Sequence, residues 1–182
     1  MKFTLLLIPL LSFGMKARVI KTKLFALPIQ SWIAYDGFHA LHQWNGTTKD
    51  VTCVITYNTE NQKIESVAAS AKLVTFDSRN LNRDSHALEM LDALVFPKVN
   101  FTSASVIPTE EGLKIYGKLN LHGITKPITV NARSSLSGNK MSIEGTFPVQ
   151  LKDYNIEIPT LLGIKIKDEV KIRFMFVFDV AQ

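Results

Sequence analysis

The chain has 182 residues, 46% of them hydrophobic and 20% charged, which is the balance of an ordinary globular protein rather than a disordered one. Its 21 basic and 16 acidic residues leave a formal charge of +5, spread along the chain without a block of lysine or arginine. Such a surface is compatible with anionic lipid or phosphate ligands, but it is too diffuse to indicate a nucleic-acid-binding protein.

The N-terminus has the pattern of an export signal. Lys2 precedes an apolar run over residues 3–13, which has the length of a signal-peptide core and is too short to span a bilayer. Ser12 and Gly14 offer a small-x-small cleavage site, so residues 1–14 are predicted to be the signal peptide, with residue 17 as its alternative end. A buried N-terminal strand is the other interpretation of the same run. The remaining residues, 18–182, have the length of one domain.

Cys53 is the only cysteine in the sequence, so no internal disulfide can form. It lies well beyond either cleavage site and is therefore no lipid-anchor cysteine. We expect it to be a small core residue.

Most of the chain alternates between apolar and polar residues with a period of two, which predicts antiparallel β-strands. The predicted strands are residues 30–41, 48–57, 63–76, 98–107, 113–122, 128–134, 140–151 and 169–180. The first two are expected to form a hairpin around Asn45-Gly46, a dipeptide typical of tight hairpin turns. Ser137-Gly138-Asn139 predicts another tight turn, and residues 154–166 form an irregular connection.

The β pattern gives way to a helical one within residues 77–101. Four residues form the apolar stripe of a short helix: Ala87, Leu88, Leu91 and Leu94. The helix is predicted at about residues 85–95, with Asp84 or Ser85 as its N-cap and Pro97 after its end. We expect it to lie across an end or edge of the sheet.

Eight strands with one apolar face each must either stack as a sandwich or close into a barrel. Several of them are long, which favours closure because a closed sheet has no exposed edges. An eight-stranded barrel is either filled by its own side chains or holds one elongated ligand, and the sequence leaves both open. Six apolar residues are candidates for its inner wall: Leu119, Leu121, Phe147, Phe174, Phe176 and Phe178.

Two segments of the sequence resemble a known family. Residues 82–106, NRDSHALEMLDALVFPKVNFTSASV, contain an Asn/Arg-Asp-x-His segment at a helix start and a Phe-Pro pair before a strand ending in Phe. Residues 112–130, GLKIYGKLNLHGITKPITV, contain a G-x-L-x-x-x-G-x-T-K-P hairpin. Over about residues 31–180 the chain is similar to the YceI-like family of exported bacterial lipocalin-like proteins.

The resemblance implies an extended, eight-stranded antiparallel barrel with a helical cap, located in the periplasm. It also implies that the barrel binds a polyisoprenoid, such as an isoprenoid quinone or a prenyl diphosphate. No cofactor other than such a lipid is expected, and no nucleic-acid partner; a homodimer is left open.

Head-group contacts are expected at the corner before the helix. Arg83 is a cation close to a helix N-terminus, an unfavourable position unless a carboxylate or an anionic ligand compensates it. An ion pair with Asp77 or Asp84 that fastens the helix to the barrel is one interpretation, and diphosphate binding is the other. Four further candidates for the head group follow from the same reasoning: His86, Arg79, His39 and Lys126.

The sequence contains no Gly-x-Ser-x-Gly elbow, no glycine-rich phosphate loop and no HExxH helix, so neither catalytic nor metal-binding residues are predicted. His39 and His42 would point to opposite faces of a strand, and a metal site would need Asp36, His86 or His122 nearby. The first hypothesis is therefore an exported lipid carrier or scavenger. A ligand-free barrel acting in envelope stress protection or protein interaction is the second, and an enzyme using Asp84 and His86 is the third.

Overall fold

The computed structural model describes residues 21–39, 42–158, 160–161 and 164–180, with the backbone alone at residues 39, 160–161 and 164–165. The predicted signal peptide, 1–14 or 1–17, lies outside these residues.

Twelve β-strands and one α-helix occur in the described part of the chain. The strands are β1 (Lys21–Phe25), β2 (Trp32–His39), β3 (His42–Thr48), β4 (Val51–Asn58), β5 (Lys63–Lys72), β6 (Lys98–Thr109), β7 (Gly112–Leu121), β8 (Ile124–Ser137), β9 (Lys140–Gln150), β10 (Thr160–Leu161), β11 (Ile164–Lys165) and β12 (Glu169–Asp179). The helix is α1 (Leu81–Met90), and 3-10 turns follow β5 (Leu73–Thr75) and β9 (Leu151–Tyr154). None of the described helices is long and apolar enough to cross a bilayer.

Ten of these strands form one curled antiparallel sheet in the order β1-β4-β5-β6-β7-β8-β9-β12-β2-β3, and β10 and β11 form a separate ribbon. The predicted mainly β fold with a single short helix is therefore confirmed, although the prediction of eight strands was too low. The four additional strands are β1, β3, β10 and β11. Residues 42–48 form a strand of their own, and β1 and the ribbon add pairs that the period-two pattern did not show.

The two sides of the curled sheet meet through the segment that follows β1. Ala26 donates its N–H to the carbonyl of Cys53 on β4 at 2.8 Å, and Leu27 donates to the carbonyl of Val177 on β12 at 2.7 Å. At the opposite edge, Thr47 of β3 and Asp77 exchange two backbone hydrogen bonds of 3.0 Å. The sheet thus encloses an interior, as expected for a barrel-like fold.

The prediction of a hairpin around Asn45-Gly46 was wrong. Both residues lie inside β3, where Asn45 pairs with Asp36 and Gly46 pairs with Tyr35 on β2. The glycine is required by a close approach, because a Cβ there would lie 2.3 Å from the ring of Tyr35. Glycine inside a strand often marks such a contact rather than a turn.

The helix also begins earlier than predicted. Its N-cap is Asn80, whose side-chain oxygen accepts the N–H of Arg83 at 3.0 Å, so neither Asp84 nor Ser85 caps it. Leu94 lies beyond the end of α1 and is 102% exposed, so it does not belong to the apolar stripe. Leu91 and Met90 do pack inward, against the buried cluster beneath the helix.

The interior has two unequal halves. At the end away from α1, which we call the packed end, inward-facing side chains fill the space: Ile55, Tyr57, Ile64, Leu113, Ala132, Met141 and Phe178. Cys53 is 1% exposed, which confirms it as a core residue, and burial raises the pKa of its thiol to about 12. The half beneath α1 is hollow.

Candidate functional site

The hollow half contains a cavity of about 870 Å³ that opens beside α1. Its walls come from β2, β3, β5 to β9 and β12, and α1 with the turns around it forms its rim. The volume lies near the upper end of the range for pockets that hold small-molecule ligands, about 300–1,000 Å³. The cavity is therefore the principal candidate for a binding site in the described chain.

Inward-facing strand positions supply an almost wholly apolar wall. Five of the six predicted wall residues line it: Leu119, Leu121, Phe147, Phe174 and Phe176. The sixth, Phe178, is 0% exposed and belongs to the packed end instead. Period-two alternation places all three phenylalanines of β12 on one face, but their depth along the interior decides which of them reaches the cavity.

Two glycines leave room for aromatic rings to approach this wall closely. A Cβ on Gly117 would lie 2.4 Å from the ring of Phe101, and a Cβ on Gly145 would lie 2.7 Å from the ring of Phe174. A larger residue at either glycine would displace the ring. With glycine there, each ring packs against the wall and does not project across the lumen. The two glycines help to keep the cavity open.

Aromatic side chains surround the opening. Tyr35 and Phe76 have ring centroids 5.9 Å apart, and His42 and Trp44 have theirs 5.5 Å apart. Burial, and then the nearby Asp84 carboxylate, raise the pKa of the Tyr35 phenol, so this side chain stays neutral. These residues were missed at the sequence level. Each of two aromatic residues pairs with a glycine across β2 and β3, Tyr35 with Gly46 and Trp44 with Gly37. These pairs could have indicated the aromatic opening, but they are visible only once the register of the two strands is known.

Arg83 lines the rim but forms neither of the ion pairs expected for it. Its Nε donates to the hydroxyl of Ser78 at 2.8 Å, and its Nη2 donates to the Ser78 carbonyl at 2.6 Å. The guanidinium also lies 5.8 Å from the centre of the Trp44 ring. Asp84 accepts the Ser78 N–H, and Asp77 accepts the N–H of Arg79. The corner is thus held by hydrogen bonds to the 77–80 turn.

The other predicted head-group residues are dispersed. His86 lines the rim, whereas Arg79 and Lys126 are not among the residues that line the cavity. Lys126 instead forms an ion pair of 2.7 Å with Asp153. The side chain of His39 lies outside the described residues.

The charged groups at the rim are mostly acidic. Asp84, Glu89 and Glu157 contribute carboxylates, whereas Arg83 contributes the one guanidinium, and none of the described lysines lines the cavity. Glu89 and Glu157 are exposed, and neither forms an ion pair with another described residue. Among the described side chains, the opening therefore carries a negative excess although the whole chain is basic.

The histidines and acids do not assemble into a metal site within the described ranges, where no group of three or more potential ligands occurs. The Asp36 carboxylate accepts two hydrogen bonds of 2.8 Å from Arg173. His122 is held by Asp92 and the Tyr154 carbonyl.

A family model for the YceI-like domain matches residues 28–178, which is most of the chain. The chain belongs to the YceI-like family. Protein YceI of Salmonella newport is 32% identical over 127 residues, and the match covers 65% of this chain and 66% of that protein, just under two thirds. Protein YceI of Salmonella arizonae gives the same identity and coverage.

Solved structures share the fold at lower identity. BcnA of Burkholderia cenocepacia superposes with a TM-score of 0.75 at 19% identity, covering 84% of this chain and 98% of BcnA. A polyisoprenoid-binding domain from Saccharophagus degradans superposes with a TM-score of 0.63 at 11% identity, covering 90% and 100% respectively. At these identities the similarity establishes a common architecture.

The family motifs meet in space in this chain. Phe101, which ends the first motif, lies over Gly117 of the second, and Phe96 of the Phe-Pro pair lies over Gly123. A Cβ on Gly123 would be 2.6 Å from the Phe96 ring. The two motifs of this chain thus mark two places where an aromatic ring packs directly on the backbone of a glycine.

His122 fastens the segment after α1 to the sheet. Its Nδ1 lies 2.9 Å from the Tyr154 carbonyl oxygen, its Nε2 lies 2.9 Å from an Asp92 carboxylate oxygen, and its ring centroid lies 5.0 Å from that of Phe96 in an edge-to-face arrangement. Both partners accept hydrogen bonds, so the arrangement favours the imidazolium. The hydrogen bond to Asp92, and then the one to Tyr154, raise the pKa of His122.

We expect this contact to make stability depend on pH. Because the folded-state pKa is raised, the stabilisation is fully present below the unfolded-state value of about 6.5 and is lost as pH rises through the folded-state pKa. Thermal unfolding midpoints of the wild type and Asp92→Asn should therefore differ most below pH 6.5 and converge above the raised pKa. Asp153→Asn, which removes the ion pair with Lys126, is the control and should show no such convergence. An Asp92→Asn difference that is constant from pH 5 to 9 would contradict the assignment.

Proposed function

We propose that this YceI-like protein is an exported binding protein that carries or sequesters a polyisoprenoid lipid in its cavity. The observation that carries the proposal is the cavity itself, about 870 Å³ in volume, lined by aliphatic and aromatic side chains and open at one end. A polar metabolite would find few hydrogen-bond partners on this wall. An apolar chain gains about 0.8 kcal/mol for each methylene removed from water.

The ligand-free alternative fits the structure less well. A barrel filled by its own side chains would be packed along its whole interior, and side chains fill the space only at the packed end. An enzymatic role would need a reactive group beside the cavity. Asp84 accepts the N–H of Ser78, and no hydrogen bond or ion pair joins it to His86 among the described residues, so binding of a ligand suits the cavity better than catalysis.

Among polyisoprenoids, a neutral head group such as a quinone suits the opening better than a diphosphate. The donors that Arg83 would offer to a phosphate are directed at Ser78, and its charge faces Trp44. Three carboxylates share the rim with it. A diphosphate would add two or more negative charges there, whereas a quinone ring could pack against Tyr35 and Trp44.

Export to the periplasm is part of the same proposal and rests on the N-terminal sequence. Lys2 and the apolar run over residues 3–13 are the supporting features. Mass measurement of the mature N-terminus after expression with the full sequence tests it, since cleavage after residue 14 or 17 is expected.

Lipid extraction with a matched pair of variants tests the binding proposal. Ala69 on β5 lines the cavity, whereas its neighbour Ala68 faces outward and is exposed. Protein purified without detergent and extracted with organic solvent should yield an isoprenoid by mass spectrometry from the wild type and Ala68→Phe. Ala69→Phe should yield several-fold less, because its ring occupies the lumen. Wild-type protein that contains no lipid and takes up neither quinones nor prenyl diphosphates would overturn the proposal.

A further inference from the structure

The cavity ends at a defined layer of side chains. On five strands we call the last cavity-lining residue before the packed end the floor: Val67, Ile115, Val130, Ile143 and Phe176. Ile115 pairs with Val130 on the neighbouring strand, and Ile143 pairs with Phe176. All five are buried and belong to the same core cluster as the packed end. The floor is thus the boundary between the hollow and the filled half.

Below the floor the strands continue but the cavity does not. On β12 the next inward residue after Phe176 is Phe178, and on β9 the next after Ile143 is Met141; neither lines the cavity. Leu113 on β7 and Ala132 on β8 follow the same rule. The Phe176 ring is further braced by Phe174, with centroids 5.3 Å apart. A chain entering from the α1 end would have to displace packed side chains to pass this level.

We propose that the floor makes this protein a length-selective binder that accommodates about five isoprene units. The inference rests on the proposed function. At roughly 30 Å³ for each non-hydrogen atom, the volume that a water molecule takes in the liquid, the cavity holds on the order of 29 such atoms. Five isoprene units contribute about 25 carbons, which leaves room in the cavity for a small head group. Additional units of a longer chain remain at the open end, in water.

The consequence is an affinity that rises with chain length and then stops rising. Each unit inside the cavity adds five buried carbons. The net gain per atom for ligands of this size, after the cost of ordering the chain is subtracted from the gain on burial, corresponds to about tenfold in affinity per unit. Units beyond the fifth gain no comparable contacts, so the curve should level off between about five and six units.

A series of all-trans prenyl alcohols with two to eight isoprene units tests this, because the hydroxyl head is the same throughout. The alcohols, delivered from cyclodextrin, compete with a fluorescent lipid probe. The wild type should gain about tenfold per unit up to five units and less than threefold in total from six to eight. Phe176→Ala should move the plateau to a longer chain by at least one unit.

Val177→Ala is the matched control. Val177 is the next residue on β12, is buried to a similar degree and does not line the cavity, so its truncation should leave the plateau in place. If Phe176→Ala fails to fold, Phe176→Leu replaces it, because leucine keeps an apolar side chain in the core. It should also move the plateau to a longer chain.

The outcomes separate the two proposals. Binding that keeps strengthening through eight units overturns the length limit but leaves lipid binding intact. A plateau that neither Phe176 variant moves overturns the assignment of the floor. If no alcohol of any length binds, the proposed function and the length limit both fail.

Discussion

Phe178→Ala should lower the free energy of unfolding by about 3–5 kcal/mol, the range for removing a buried phenylalanine from a well-packed core. Phe178 is 0% exposed and lies among the side chains of the packed end. One hydrogen-bonded seam adjoins it: Ala26 forms a bridge with Phe178, and Leu27 donates its N–H to the carbonyl of Val177, the residue before Phe178. The substitution should therefore also weaken the contact between the segment after β1 and β12.

Phe147→Ala provides the comparison within the same sheet. Phe147 is half-buried and lines the cavity, so truncating its side chain enlarges a space that already exists and creates no new void. We expect a loss of about 1–2 kcal/mol, since only the transfer of a partly buried ring is forfeited. Urea unfolding followed by tryptophan fluorescence measures both values.

The comparison tests the division of the interior into two halves. Equal losses for Phe178→Ala and Phe147→Ala would mean that the packed end and the cavity wall are not energetically distinct. Saturating lipid should raise the stability of the wild type by about 2.7 kcal/mol at a hundredfold excess over the dissociation constant. The increase should be smaller for Phe147→Ala, whose ring would contact the ligand, and unchanged for Phe178→Ala.

The strands of this fold could be predicted where one face is clearly apolar. The alternation over β7 and β12 predicted both strands and their buried faces correctly, because a period of two is a property of the local sequence. Depth along the interior is not local. Phe176 and Phe178 have the same spacing and chemistry, yet one bounds the cavity and the other lies in the packed end.

Contacts between distant segments account for the other errors. Asn45-Gly46 has the composition of a turn, but the ring of Tyr35 on the neighbouring strand requires the glycine where it lies. Arg83 was expected to pair with a carboxylate or an anionic ligand near the helix N-terminus, and neither expected ion pair, with Asp77 or with Asp84, is present. The oxygens of Ser78 accept its hydrogen bonds instead, and their position depends on the 77–80 turn rather than on any sequence motif. Likewise, the hydrogen bonds of His122 join residues 30 or more positions apart.

The double variant Glu89→Gln, Glu157→Gln should strengthen binding of a prenyl diphosphate by about tenfold at low ionic strength, while leaving a prenyl alcohol of the same length unaffected. Both carboxylates lie at the cavity rim, and neither is engaged in an ion pair with another described residue. Asp84 is left intact because its carboxylate accepts the N–H of Ser78, so replacing it would disturb the turn that holds Arg83. Glutamine preserves the size and polarity of each side chain.

Ionic strength and position provide the controls. Because the two carboxylates are exposed, their repulsion of a diphosphate should be screened, and the tenfold gain should shrink to about twofold or less near 0.5 M salt. Glu110→Gln, Glu111→Gln removes the same charge from the turn between β6 and β7, which does not line the cavity, and should change neither ligand's affinity. A prenyl diphosphate that binds the wild type more tightly than the matching alcohol would contradict the preference for a neutral head. It would also mean that Arg83 exchanges Ser78 for phosphate when a ligand enters.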